Sequence, residues 1–187
     1  MTLDELLLRW IPYRLQAIET LLFAWKWLDE GGHPRSVQVV ENGRVRLNCN
    51  AAAVANPMIE AGLIHARALL EFMGLCASGG KLSQIQTRRK DDVAIEHFSS
   101  VKGPLGKVEP SAAIATYAGP PDEAEKALLS IFEFANKGMA HLTTQATISQ
   151  YTDAHLEIAC RGIPVLLQNN LYTRLGMPVP PPPEAKP

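Results

Sequence analysis

"SVQVVENGRVRLN", Ser36 to Asn48, breaks into a chain whose apolar residues otherwise recur at helical spacing, and its reading decides the fold class. Two short valine-bearing runs flank Asn42-Gly43. A two-residue turn that closes a hairpin needs positive φ at both positions, and Asn-Gly is the pair that best supplies it. The stretch therefore predicts a β-hairpin. A lone hairpin is marginal in water, so this one is expected to lean on helices. It reads as an insertion at about residues 36–48, not as a second domain.

Working outward, Leu7, Ile11, Leu15, Ile18, Leu22 and Trp25 repeat at steps of three and four, the stripe of a long amphipathic helix. Pro12 lies inside that stripe and is expected to kink or divide it, because it has no N–H to give. "DEGGH" ends the helix. Beyond the hairpin, a second helix is predicted from about Asn50 or Asn56 to Ala77, with Ile59, Leu63, Ala66, Leu70 and Met73 inward. Arg67 and Glu71 stand at i,i+4 on another face, a spacing at which they can pair. Residues 78–121 read as irregular, with short helices near Asp91–Phe98 and Ser111–Tyr117.

A third long helix starts at "PPDEAEKALL", where proline and early acids suit a helix N-terminus. Ala124, Ala127, Leu128, Ile131, Phe134 and Ala135 form its core face. A fourth runs from Thr152 or Asp153 through Leu156, Cys160, Ile163, Leu167 and Leu171 to Gly176, with Gly162 and Pro164 expected to bend it. "PVPPPPEAKP" follows as a disordered polyproline II tail with nothing to bury. The expected architecture is thus all-α. Residues 1–176 form a four-helix bundle with an inserted β-hairpin, and residues 177–187 are a proline-rich C-terminal tail.

A chain of 187 residues with 47% hydrophobic and 20% charged residues is ordinary for one globular domain. Its formal charge of −1 gives no global basic field. Charge is uneven, however: between Lys81 and Lys107 six Lys/Arg face three acids, a local +3. Cys49, Cys76 and Cys160 lie far apart in apolar settings and read as reduced core residues. The N-terminus carries early acids and no cleavage pattern, so it does not read as a signal peptide. No run approaches the ~18 uninterrupted apolar residues of a membrane span. The expectation is a cytoplasmic protein with no membrane partner.

"FANKGMAHLT", Phe134 to Thr143, closes the third helix on an amide, an ammonium, a glycine and an imidazole. Lys137 and His141 share a face at i,i+4, and Gly138 offers a way for Asn136 to converge with them. Histidine can act as acid or base near neutral pH, and lysine can hold a phosphate. The same groups also suit a helix C-terminus, where they satisfy carbonyls and the dipole. In "RRKDDVAIEHF", Asp92, Glu96 and His97 offer carboxylate and imidazole ligands. There is no His-Glu-x-x-His and no zinc-finger spacing, and the run reads better as a solvated helix start capped by Asp91 or Asp92. No metal and no cofactor are expected. No P-loop, Gly-x-Gly-x-x-Gly or Gly-x-Ser-x-Gly is present.

The closing turn resembles the end of the HEPN superfamily motif: an arginine, usually a polar residue, and a histidine four to six residues after the arginine, often written Arg-Asn-Lys-x-x-Ala-His. Asn136, Lys137, Ala140 and His141 match in order, while the arginine would fall on Ala135 or Asn136, neither of them basic. "HARALLEFMGL", with Arg67 and Glu71, is similar to the second-helix pattern of many such domains. The resemblance implies a helical bundle that forms a two-fold homodimer. It implies either a weak or degenerate metal-independent endoribonuclease of a toxin–antitoxin or defence type, or a non-catalytic RNA or nucleotide binder, with an antitoxin-like protein as a further partner. Its site would comprise His141, Asn136 and Lys137, with Arg67, Arg88, Arg89 and Lys90 supplying positive charge to RNA. The competing expectation is a non-catalytic helical protein–protein interaction module, in which the same residues only cap a helix.

Overall fold

The protein is described here by a computed structural model covering residues 2–30, 35–138 and 150–182. Helix α1, residues 3–29, opens on a capping box. Thr2 Oγ1 accepts the Glu5 N–H (3.1 Å) and the Glu5 carboxylate accepts the Thr2 N–H (2.8 Å). A π-helical turn, Leu6–Trp10, then precedes the α-helical run Ile11–Asp29. Pro12 marks that junction. The Ile11 N–H reaches back to the Leu6 carbonyl, and Pro12 has no N–H, so neither takes the carbonyl of Leu7. The buried Tyr172 hydroxyl donates to it instead, at 2.8 Å.

Strands β1 (Ser36–Glu41) and β2 (Arg44–Asn50) form the antiparallel hairpin, with Asn42 and Gly43 at φ 49° and 74° in its turn. Its register runs from Ser36 opposite Asn50 to Glu41 opposite Arg44, broken by one irregularity between Val39 and Val40. The hairpin leans on the helices less than expected: Val39, Val40, Val45 and Leu47 are 45–56% exposed. Asn50 ends β2 and caps α2 (Ala51–Phe72), its side-chain oxygen accepting the Ala52 N–H at 2.9 Å.

Here the architecture departs from the all-α expectation. Helix α2 stops at Phe72, five residues before Ala77, and Gly74 turns the chain at φ 92°. Leu75–Ser78 (β3) and Lys81–Gln84 (β4) then pair antiparallel around Gly79-Gly80, both at positive φ. "LCASGGKLSQ" is thus a second hairpin, its two-residue turn allowed by glycines that carry no Cβ. The Leu82 N–H is pinned to the Glu125 carboxylate at 2.9 Å. The helix predicted over residues 91–98 is a single 3₁₀ turn, Ile95–His97, followed by the short ladder β5 (Ser99–Ser100) and β6 (Gly103–Pro104).

Helix α3 (Pro110–Ala115) is brief; α4 (Pro121–Glu133) continues through a π-helical turn, Phe134–Gly138. Helix α5 (Asp153–Leu167) runs on through Gln168–Tyr172 and Thr173–Leu175 and ends at Gly176, φ 70°. Among the described residues the chain is therefore a mostly helical mixed fold of five helices and three separate two-stranded antiparallel sheets, not a four-helix bundle carrying one hairpin. Two of those sheets lie between residues 75 and 104, the stretch whose glycine turns and short strands have no helical period.

One apolar cluster holds the fold together, with α1 packed along α2 and α4 against α5. Two glycines set how closely elements approach. A Cβ on Gly62 would stand 2.4 Å from Leu21 Cβ and 2.8 Å from the Ala17 carbonyl oxygen; one on Gly162 would meet the Tyr117 ring at 1.9 Å. Beyond Gly176 the chain still packs Met177 and Val179 against the core, and the Met177 N–H bonds the Tyr172 carbonyl at 2.9 Å. No helix among the described residues is long and apolar enough to cross a membrane.

Candidate functional site

Asn136 and Arg67, 69 residues apart, meet. Asn136 is exposed on the π-helical turn that closes α4, and its side-chain oxygen accepts a hydrogen bond from Arg67 Nη1 on α2. Arg67 Nε donates to the Glu71 carboxylate one turn along at 2.7 Å, the i,i+4 pair expected from the sequence. Its side chain is 36% exposed, and Nη2 has no protein partner among the described residues. A planar guanidinium, steadied on two edges, thus stands beside the turn whose own sequence lacks the motif arginine. Lys137 follows Asn136 on that turn. His141 lies outside the described residues.

The three cations of Arg88–Lys90 do not act as a group. Arg88 forms a fork with Glu96, Nε at 3.0 Å and Nη2 at 2.9 Å, while Nη1 and Nη2 reach the Glu71 and Phe72 carbonyls at the end of α2 (2.9 and 3.4 Å). Its guanidinium is occupied in tying the 85–97 segment to a helix C-terminus. Burial alone would raise the Glu96 carboxyl's pKa; the Arg88 hydrogen bonds and the charges of Arg88 and Lys107 outweigh that and hold it below its ordinary value. Arg89 and Lys90 are exposed on the adjoining turn, closed by the Arg89 N–H donating to the Asp92 carboxylate at 3.0 Å.

That geometry also redistributes the ligand set considered from the sequence. Asp92 holds a backbone N–H, Glu96 holds Arg88, and His97 Nδ1 accepts the Ala94 N–H at 2.9 Å. Among the described residues no three His, Cys, Asp or Glu side chains gather into a group that could hold a metal ion.

Two histidine contacts escaped the sequence reading because each joins distant residues. His65 on α2 meets Arg14 on α1: Nη1 lies 2.8 Å from His65 Nδ1, and since arginine only donates, Nδ1 accepts and the ring proton sits on Nε2. Burial first, and the Arg14 charge second, push the His65 pKa down, so the ring is neutral at pH 7. Tyr13 packs edge-on against it at 5.2 Å. On α5, His155 Nδ1 accepts the Thr152 N–H while Nε2 faces the Glu123 carboxylate, both at 3.0 Å, a clasp between α4 and α5. The Lys126 hydrogen bond first, and His155 second, hold Glu123 below the usual carboxylate range.

Searches against protein-family models, curated proteins and solved structures return no match.

Proposed function

We propose that the protein binds RNA or nucleotides at the closing turn of α4, through Arg67, Asn136, Lys137 and His141, with Arg89 and Lys90 as outlying phosphate contacts. What supports the reading is the Arg67–Asn136 hydrogen bond. It brings from α2 the arginine that the turn's own sequence lacks, and arginine's fork suits a phosphate. Glu71 offsets part of that charge, which favours binding over strong stabilisation of a cleaving phosphate. Any strand scission is accordingly weak, metal-independent and carried by His141.

Fluorescence anisotropy with a short single-stranded RNA tests this. Binding should weaken with salt by roughly 0.7 log units per tenfold salt for each phosphate engaged. Arg67→Ala should lower both affinity and salt slope, while His141→Ala removes any cleavage and leaves the far-UV spectrum intact. RNA binding that is absent at low salt, or unchanged in Arg67→Ala, would reject the site.

The exposed hairpin favours a second reading, a protein–protein interaction module, in which a second copy of the chain covers Val39, Val40, Val45 and Leu47. Light scattering separates the two. A dimer broken by Val40→Lys, with no salt-sensitive RNA binding in the wild type, would favour this module.

A further inference from the structure

A cleft of about 330 Å³ lies between α1, the end of α2 and the 85–93 segment, near the lower limit of the roughly 300–1,000 Å³ typical of small-ligand pockets. Its apolar wall includes Leu69, Phe72, Ile85 and Val93, and its charged lining is Arg14, Glu71, Arg88, Asp91 and Asp92. Three of those five are already engaged by the protein. Glu71 binds Arg67, Arg88 forks onto Glu96, and Asp92 holds the Arg89 N–H.

Arg14 and Asp91 remain. Arg14 is half-buried, and its one hydrogen bond among the described residues goes to neutral His65, with no carboxylate in ion-pair range. A guanidinium drawn out of water without an anion is costly, and burial lowers its pKa accordingly. His65, braced by Tyr13, fixes one edge of the fork and leaves the others for the cleft. Asp91, on the rim, makes no hydrogen bond or ion pair to a described residue. The two opposite charges line one cavity without touching each other, and hydrocarbon from Leu69, Phe72, Ile85 and Val93 lines the same cavity.

We propose that this cleft binds a small zwitterion, a free α-amino acid with an apolar side chain, its carboxylate on Arg14, its ammonium on Asp91 and its side chain on the apolar wall. The pairing gives Arg14 an anion and Asp91 a cation at once, which neither a simple organic acid nor an amine does. This cleft adjoins the α4-turn site through Glu71, which lines it and pairs with Arg67, but the proposal uses neither Arg67 nor the turn and does not depend on that reading.

Isothermal titration of the whole chain provides the test, using L-leucine and L-phenylalanine beside 3-phenylpropionate, which lacks the ammonium, and phenethylamine, which lacks the carboxylate. One saturable site is expected for at least one amino acid, with each truncated analogue weaker by about tenfold or more, as loss of a charged contact predicts. Asp91→Asn should weaken the amino acid by a similar factor without moving the urea midpoint, and Arg14→Gln should abolish binding. Because the wild-type ligand series and Asp91→Asn do not depend on Arg14→Gln folding, the proposal stands or falls on them. No saturable heat at low-millimolar amino acid would overturn it, as would 3-phenylpropionate binding as tightly as phenylalanine.

Discussion

Tyr172 donates a buried hydroxyl to a carbonyl that the helix cannot serve, because Pro12 removes the amide that would compete for it. Tyr172→Phe keeps the ring and strands the Leu7 carbonyl. The expected loss is about 1–3 kcal/mol of unfolding free energy, read from urea melts; an unchanged midpoint would mean that the bond contributes nothing net. Glu96 gives a pH-dependent counterpart. Its folded pKa lies below its ordinary 4.5, so its contribution is complete above that value and is lost as pH falls through the lower folded one. Glu96→Gln should therefore destabilise by about 2 kcal/mol at pH 7 and flatten the acid limb of stability against pH. An acid limb as steep as wild type would count against the Arg88 fork. At this scale the sequence showed the Arg67–Glu71 pair, which spacing alone determines. It could not show that Arg88 is taken up by Glu96 and two carbonyls, since that needs the turn at Ile95–His97 to be in place. Nor could it join Arg14 to His65 across 51 residues.

Helices were legible where apolar residues recur over several turns, as in Leu7 to Leu15 or Leu156 to Leu171, whose stripe positions are buried. Element ends were less so. Apolar Leu75 and Cys76 continue the periodicity of α2 beyond Phe72, and only the positive φ of Gly74 and of the Gly79-Gly80 turn makes them strand. The signal that was present, a Gly-Gly pair between two short runs, occupies only four residues a side. Gly62 carries an element-scale prediction. Alanine there improves intrinsic helix propensity by about 1 kcal/mol, yet its methyl would press on Leu21 and on the Ala17 backbone of α1. Overpacking should win, for a net destabilisation of about 1–3 kcal/mol. A more stable Gly62→Ala would show that α1 and α2 can part freely.

For the whole molecule, composition and periodicity indicated one apolar core, and one buried cluster runs through the described helices. The fold class did not follow, because two of the three ladders, β3–β4 and β5–β6, have only four and two residues a strand and leave too little pattern beside long helices. The β1–β2 hairpin carries a further consequence. Its ends meet across a single rung, Ser36 opposite Asn50, with the Ala51 N–H bonded to the Arg35 carbonyl at 2.9 Å just below. Both faces of its strands look mostly to solvent. Such a segment is a cassette. Replacing residues 37–49 with a short Asn-Gly-centred turn should change stability by less than about 1 kcal/mol, since loop-closure entropy varies slowly with length. Circular dichroism and a urea melt would check this. If the shortened chain keeps its melt, the same junction can accept a foreign hairpin, an epitope or a fluorophore-bearing loop without reaching the core.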